Sequence, residues 1–192
     1  MKKSNMIALG IVGAILLVLL FTVMWVIGAY NGLVTSEESV DAQWANVESS
    51  YQRRVDLIPN LVATVQGVAD FEQKTYTDIA NARSQWSNAK TPSDKMAAAS
   101  GIESSLSRLL VVVENYPQLK ANENFLSLQD ELAGTENRIN VERNRYNEQV
   151  KQFNVKVRKF PSNIIAGMFG FEKKVAFEAD EGAENAPTVN FN

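Results

Sequence analysis

The chain contains no cysteine and no histidine. The first absence removes disulfides, thiolate nucleophiles and sulfur-ligated metals, and with no cysteine after the N-terminal apolar run it also removes a lipoprotein anchor. The second removes the commonest general base and the commonest transition-metal ligand. The formal net charge is only −3 and the basic residues are scattered, so there is no electrostatic footprint for nucleic acid. Carboxylates, hydroxyls, lysine and arginine are left for chemistry, and no G-x-S-x-G, GxxxxGK[ST] or G-x-G-x-x-G organises them. No cofactor, metal or small-molecule substrate is expected, and the chain does not read as an enzyme.

What it has instead is an uncharged run from Met6 to Ala29, rich in Leu, Ile, Val and Ala, directly behind Lys2 and Lys3. At ~1.5 Å per residue the run is about 36 Å long, enough to cross a ~30 Å hydrocarbon core with some tilt. A cleaved signal peptide is the alternative, since Gly28 and Ala29 are small. Its apolar region is usually only ~7–15 residues, which this run exceeds. Trp25 and Tyr30 suit an interfacial aromatic belt. Lys2 and Lys3 lie on one side, and on the other no Lys or Arg occurs before Arg53. The positive-inside rule then expects a single pass with the N-terminus in the cytoplasm and the remaining domain on the periplasmic or extracellular side.

About 160 residues follow, enough for one domain with a core. Val40, Trp44, Val47, Tyr51, Val55, Ile58, Val62, Val65, Ala69, Tyr76 and Ile79 are spaced by threes and fours, with only Glu72 breaking the apolar series. Thr35-Ser36-Glu37-Glu38 can cap a helix there, so one helix is expected to run towards Ser87, kinked or broken near Pro59. Preserved phase across Pro59 favours a kink over a reversal. Leu57, Ile58, Leu61, Val62, Val65 and Val68 form a stripe wide enough to face two other helices.

A polar loop at Asn88 to Asp94 separates this from a second helix, starting at Ser93 or Asp94, whose Leu106, Leu109, Leu110, Val111, Val112 and Val113 should make it central. Asn115-Tyr116-Pro117 interrupts, and a third helix is expected from about Gln118 to Lys159, with close packing or a bend at Gly134. The fold class is therefore all-α: an N-terminal transmembrane helix followed by an antiparallel long-helix bundle. The expected segments are 1–5 cytoplasmic, 6–30 transmembrane, 31–160 bundle, and 161–192 an apolar glycine-containing stretch with an acidic tail in which Val189 and Phe191 could dock as a short strand.

Particular strings are more specific than this periodicity. Tyr30-Asn31-Gly32-Leu33-Val34, Arg53-Arg54-Val55-Asp56-Leu57-Ile58-Pro59-Asn60, Glu114-Asn115-Tyr116-Pro117-Gln118-Leu119, Glu136-Asn137-Arg138-Ile139, Arg143-Asn144-Arg145-Tyr146-Asn147, Phe160-Pro161-Ser162-Asn163 and Ala186-Pro187-Thr188-Val189-Asn190-Phe191 follow in order. The chain resembles the LemA family along its length. The resemblance implies a bacterial protein with one transmembrane helix and an up-and-down bundle, usually of four helices, and no established activity, cofactor or catalytic residue. The residue pattern alone gives three helices with the first kinked, so three to four remain open.

Two groups of residues could carry function. Arg53, Arg54, Asp56 and Asn60 cluster around the proline, and Glu136, Asn137, Arg138, Arg143 and Asn147 recur along the third helix. They read as an interhelical network fixing register, or as an exposed patch for a partner protein. Arg54 and Glu142 fall near the apolar seam and need partners. A di-iron bundle would show paired Glu-x-x-His, which the absence of histidine excludes. In the segment from Phe160 to Phe171, Phe160, Ile164, Ile165, Met168, Phe169 and Phe171 are too few to span a bilayer. They either cover the bundle end or contact a membrane or another protomer, where Lys173 and Lys174 would meet anionic headgroups.

The leading expectation is a non-catalytic scaffold or assembly protein, anchored in the bacterial inner membrane. Its expected partners are the lipid bilayer and either a partner protein or further copies of itself. The alternative is an envelope enzyme using a carboxylate pair on the third helix.

Overall fold

The computed structural model describes residues 3–66 and 73–178. Six helices follow in order: α1 (Lys3–Gln66), α2 (Gln73–Asn88), α3 (Pro92–Val113), α4 (Pro117–Lys120), α5 (Glu123–Arg158) and α6 (Ser162–Phe169). Among the described residues there is no strand, and the all-α expectation holds. The chain forms two compact units, one from residues 1–42 and 148–174, the other from residues 43–147 and 175–192.

The second unit is the bundle. Glu48 pairs with Lys95 and Tyr51 with Glu103, so the α1 segment and α3 run in the same direction. Asp78 pairs with Arg108 while Ala82 lies beside Gly101, so α2 opposes α3. Arg54 pairs with Glu136 and Gln43 with Glu142, so α5 opposes α1. The order is up, down, up, down, which is the four-helix arrangement that the family resemblance implied.

This corrects the sequence reading of one helix running to Ser87. Pro59 lies inside α1 and is exposed, so its ring faces water and neither ends nor reverses the helix. The opposed direction first appears in α2, which starts at Gln73. Phase survived because both helices bury the same three-four spacing in one core: Val55, Ile58, Leu61 and Val65 from α1, and Ile79, Ala82 and Trp86 from α2. Periodicity reports which residues share a buried face, not whether the chain has turned between them. The expected positions Val68, Ala69 and Glu72, and the strand expected at Val189 and Phe191, lie outside the described residues.

α3 supplies Ala98, Ala99, Ile102, Leu106, Leu109 and Val113 to the core. It is not apolar-buried on every side, since Val111 is 62% exposed. Its start is specified locally: the Thr91 hydroxyl accepts from the Asp94 amide at 3.1 Å and Pro92 occupies the first turn, a cap worth ~1 kcal/mol. The expected third helix is divided. α4 closes after Lys120, and the Asn122 side chain accepts from the amides of Asn124 and Phe125 to open α5. Gly134 needs no close neighbour: a Cβ there would meet nothing within 4 Å, and α5 continues through it.

In the first unit, Leu33 of α1 forms a small core with Ile165 and Ala166 of α6, flanked by Val26, Ala29, Val157 and Phe171. The apolar residues of α1 from Ile7 to Ile27 are largely exposed, as in a helix long and apolar enough to cross a membrane. α3 also has that length and composition, but it is a core helix of the bundle.

Candidate interaction site

Polar side chains join the helices of the bundle unit in pairs. Arg54 is buried and its guanidinium bonds Glu136, which also accepts from Asn140 at 3.2 Å. Glu142 accepts from Gln43 at 2.6 Å and from Arg145 at 3.0 Å. Lys95 reaches Glu48 at 3.0 Å and stands over the Trp86 ring at 4.5 Å, while the Trp86 indole donates to Gln52. Arg54 with Glu136, Gln43 with Glu142, Lys95 with Glu48 and Trp86 with Gln52 each tie two helices at one height, which is how polar groups on long helices specify alignment more than they add stability.

The densest group is Tyr51, Glu103 and Arg143. The Tyr51 hydroxyl donates to Glu103 at 2.8 Å and Arg143 approaches the same carboxylate at 3.7 Å. Burial pushes the Tyr51 phenol well above its ordinary value, and the neighbouring Glu103 charge adds to the effect. It is therefore a fixed donor rather than an acid or a nucleophile. A cavity of about 630 Å³ opens beside this group, lined also by Met96, Ser100 and Phe177.

Phe177 belongs to an extended segment that lies along α5. The Asn147 amide donates to the Phe177 carbonyl at 3.0 Å and accepts from the Phe177 amide at 2.8 Å, as a neighbouring β-strand would. The Tyr146 hydroxyl donates to the Val175 carbonyl, and the Phe177 ring packs on Trp44, Tyr146 and the Arg143 guanidinium.

The first unit repeats the device. Asn154 donates to the Lys174 carbonyl and accepts from its amide, both at 2.9 Å, and the Lys174 ammonium reaches Glu37 at 2.8 Å and Asp41 at 3.8 Å. Burial alone would lower the Lys174 pKa, but the bond to Glu37 and the charges of Glu37 and Asp41 outweigh it and raise it. Asn147 and Asn154 are two helical turns apart, so both face the same segment.

The residues singled out from sequence separate accordingly. Arg54, Glu136, Arg143 and Asn147 enter interhelical or segment contacts. Arg53, Asp56, Asn60, Asn137 and Arg138 are exposed, and among these Asp56 accepts only from Gln52 on its own helix. Of the apolar segment, Ile165 is buried and Phe171 half-buried, whereas Phe160, Ile164, Met168 and Phe169 are exposed. Sequence reasoning missed Glu103 and Asn154, took Tyr51 only as an apolar seam position, and turned Lys174 towards headgroups, whereas it pairs with Glu37 and Asp41. Only the seven-residue spacing of Asn147 and Asn154, each preceded by an aromatic residue, could have signalled the clamps.

The enzyme alternative required convergent acids. Glu136 and Glu142 bond separate partners, and neither lines the cavity beside Tyr51. Among the described residues no group of three or more acidic side chains is placed to hold a metal.

Comparison with known proteins adds kinship. The sequence model of the LemA family matches residues 43–191. The magnetosome proteins MamQ 2 and MamQ 1 of Paramagnetospirillum magneticum are each 25% identical, over 83% of this chain and 68% of theirs. Magnetosome protein MamQ of Magnetospirillum gryphiswaldense is 24% identical over the same shares.

Proposed function

The chain belongs to the LemA family, and on that premise we propose that it is a non-catalytic scaffold, anchored in the bacterial inner membrane and presenting a helical bundle to partner proteins or further copies of itself. The observation that carries this reading is the composition of α1. One helix bears both an exposed apolar stretch, Ile7 to Ile27, and buried bundle positions, Val47 to Val65. The relatives' names attach them to a cellular structure rather than to a reaction, which accords with a structural role.

Residues near the bundle's acids do the work of alignment in this reading. Arg54 with Glu136, Arg143 with Glu103 and Gln43 with Glu142 hold register, leaving Arg53, Asp56, Asn60, Asn137 and Arg138 in water for a partner. The charge bias at Lys2 and Lys3 supports a cytoplasmic N-terminus with the bundle on the far side.

The test is photo-crosslinking in cells from Asn137 and Arg138, followed by identification of the captured chain. A stable partner or a homo-oligomer is expected at both positions. A clean monomer after gentle extraction, with no crosslink, would overturn the scaffold reading. A reporter fused at the C-terminus tests orientation, and activity confined to the cytoplasm would reverse it.

A further inference from the structure

α6 is apolar over one broad arc, and the structure covers only part of it. Ile165 and Ala166 are buried on Leu33 of α1, while the Phe169 ring meets Tyr30 at 4.8 Å between centroids. Ile164 at 51%, Met168 at 72% and Phe169 at 54% remain exposed, as does Phe160 at 75% just before the helix. At about 100° per residue, Ile164, Met168, Ile165 and Phe169 cover roughly 140° of α6, with Asn163 and Gly167 opposite. Gly170, in the left-handed region at φ 77°, ends the helix.

The position on α1 says what covers this face. Exposed apolar side chains of α1 continue to Ile27, and α6 is seated on Leu33, about 9 Å further along the helix. The run from Met6 to Ala29, about 36 Å long, exceeds a ~30 Å hydrocarbon core by several ångströms, so its end lies at the headgroup boundary. An amphipathic helix in the membrane plane buries its apolar side ~5–10 Å into that boundary. Around α6, Arg158, Lys159 and Lys173 are exposed against one exposed acid, Glu172, whereas Lys174 is engaged with Glu37 and Asp41.

We propose that α6 is a second membrane contact: it lies in the bilayer interface beside the point where α1 emerges, with Phe160, Ile164, Met168 and Phe169 among the acyl chains and Arg158, Lys159 and Lys173 on anionic headgroups. This rests on the reading that α1 spans the membrane. Tyr30 joins the two contacts through the rings of Phe169 and Phe171. With α1 passing through the bilayer and α6 lying on it, rotation of α1 about its own axis is restrained.

The chain has no cysteine, so one introduced thiol is a unique label. The full chain carrying Met168→Cys, labelled with an environment-sensitive fluorophore, is reconstituted in vesicles of phosphatidylcholine with phosphatidylglycerol, beside Ile15→Cys and Asn88→Cys. The Met168 label is expected to be shielded from iodide several-fold relative to Asn88 and quenched by a shallow lipid-borne nitroxide. Iodide quenching equal to that at Asn88 would overturn the proposal, as would shielding accompanied by self-quenching between labels, which would mean that a second copy covers the face. In phosphatidylcholine alone the nitroxide quenching should fall, and equal quenching would overturn the headgroup contact. The Ile15 label reports separately on the anchor: if it is open to iodide, α1 does not span and the underlying reading fails first.

Discussion

Removing Glu136 should cost far more than removing the arginine it serves. The Arg54 side chain is 10% exposed and its Nε has no hydrogen-bond partner among the described residues, so the guanidinium depends on the bond to Glu136, whose own side chain is 40% exposed. Breaking a fully buried pair by deleting one member costs ~3–5 kcal/mol. Water at Glu136 discounts this, so Glu136→Ala is expected to lose about 2–3 kcal/mol. For a chain of this size that is a fall of about 5–10 °C in Tm.

Arg54→Met strands only a carboxylate that water can reach and should cost about 1 kcal/mol or less. The double variant Arg54→Met with Glu136→Leu leaves no stranded charge and should lie within about 1 kcal/mol of the parent. Thermal unfolding followed by circular dichroism in mild detergent measures all three. Equal and small losses for the two single variants would refute a desolvated Arg54. A double variant as unstable as Glu136→Ala would refute the view that the pair sets alignment rather than stability.

Gly134→Ala should stabilise by about 0.5–1 kcal/mol, read as a higher Tm, because the helix gains propensity and the added Cβ meets nothing. Asn147→Ala removes both bonds to Phe177 and should speed hydrogen exchange at the Phe177 amide roughly tenfold, with amides in the core of α3 unchanged. Lys174→Met should destabilise at neutral pH. Because the Lys174 pKa is raised above its ordinary 10.5 in the folded chain, that contribution is complete below the unfolded value and disappears as pH rises through the folded one. The Tm difference between Lys174→Met and its parent should therefore shrink in strongly alkaline buffer.

Helix period, the apolar run and the loop at Asn88 to Asp94 were legible because each depends on neighbours in sequence: spacing of buried faces, length against a bilayer, a polar stretch carrying a proline. The turn between α1 and α2 was not, since packing against a common core keeps the same spacing on both sides of a reversal. Arg54 and Glu142 could be marked as needing partners from their position near the seam. Which partners they took, Glu136 for one and Gln43 with Arg145 for the other, depended on helices meeting at a particular height.

Composition settled that the sequence carries no thiol or imidazole, and hydropathy settled that its first helix is long and apolar enough for a membrane, because both are sums over the chain that folding does not alter. Contacts between residues distant in sequence needed tertiary structure. Asn147 is an ordinary polar position on a helix until Phe177 arrives beside it. Ile165 and Ile164 are chemically identical neighbours, and only the docking of α6 on Leu33 buries one and leaves the other exposed.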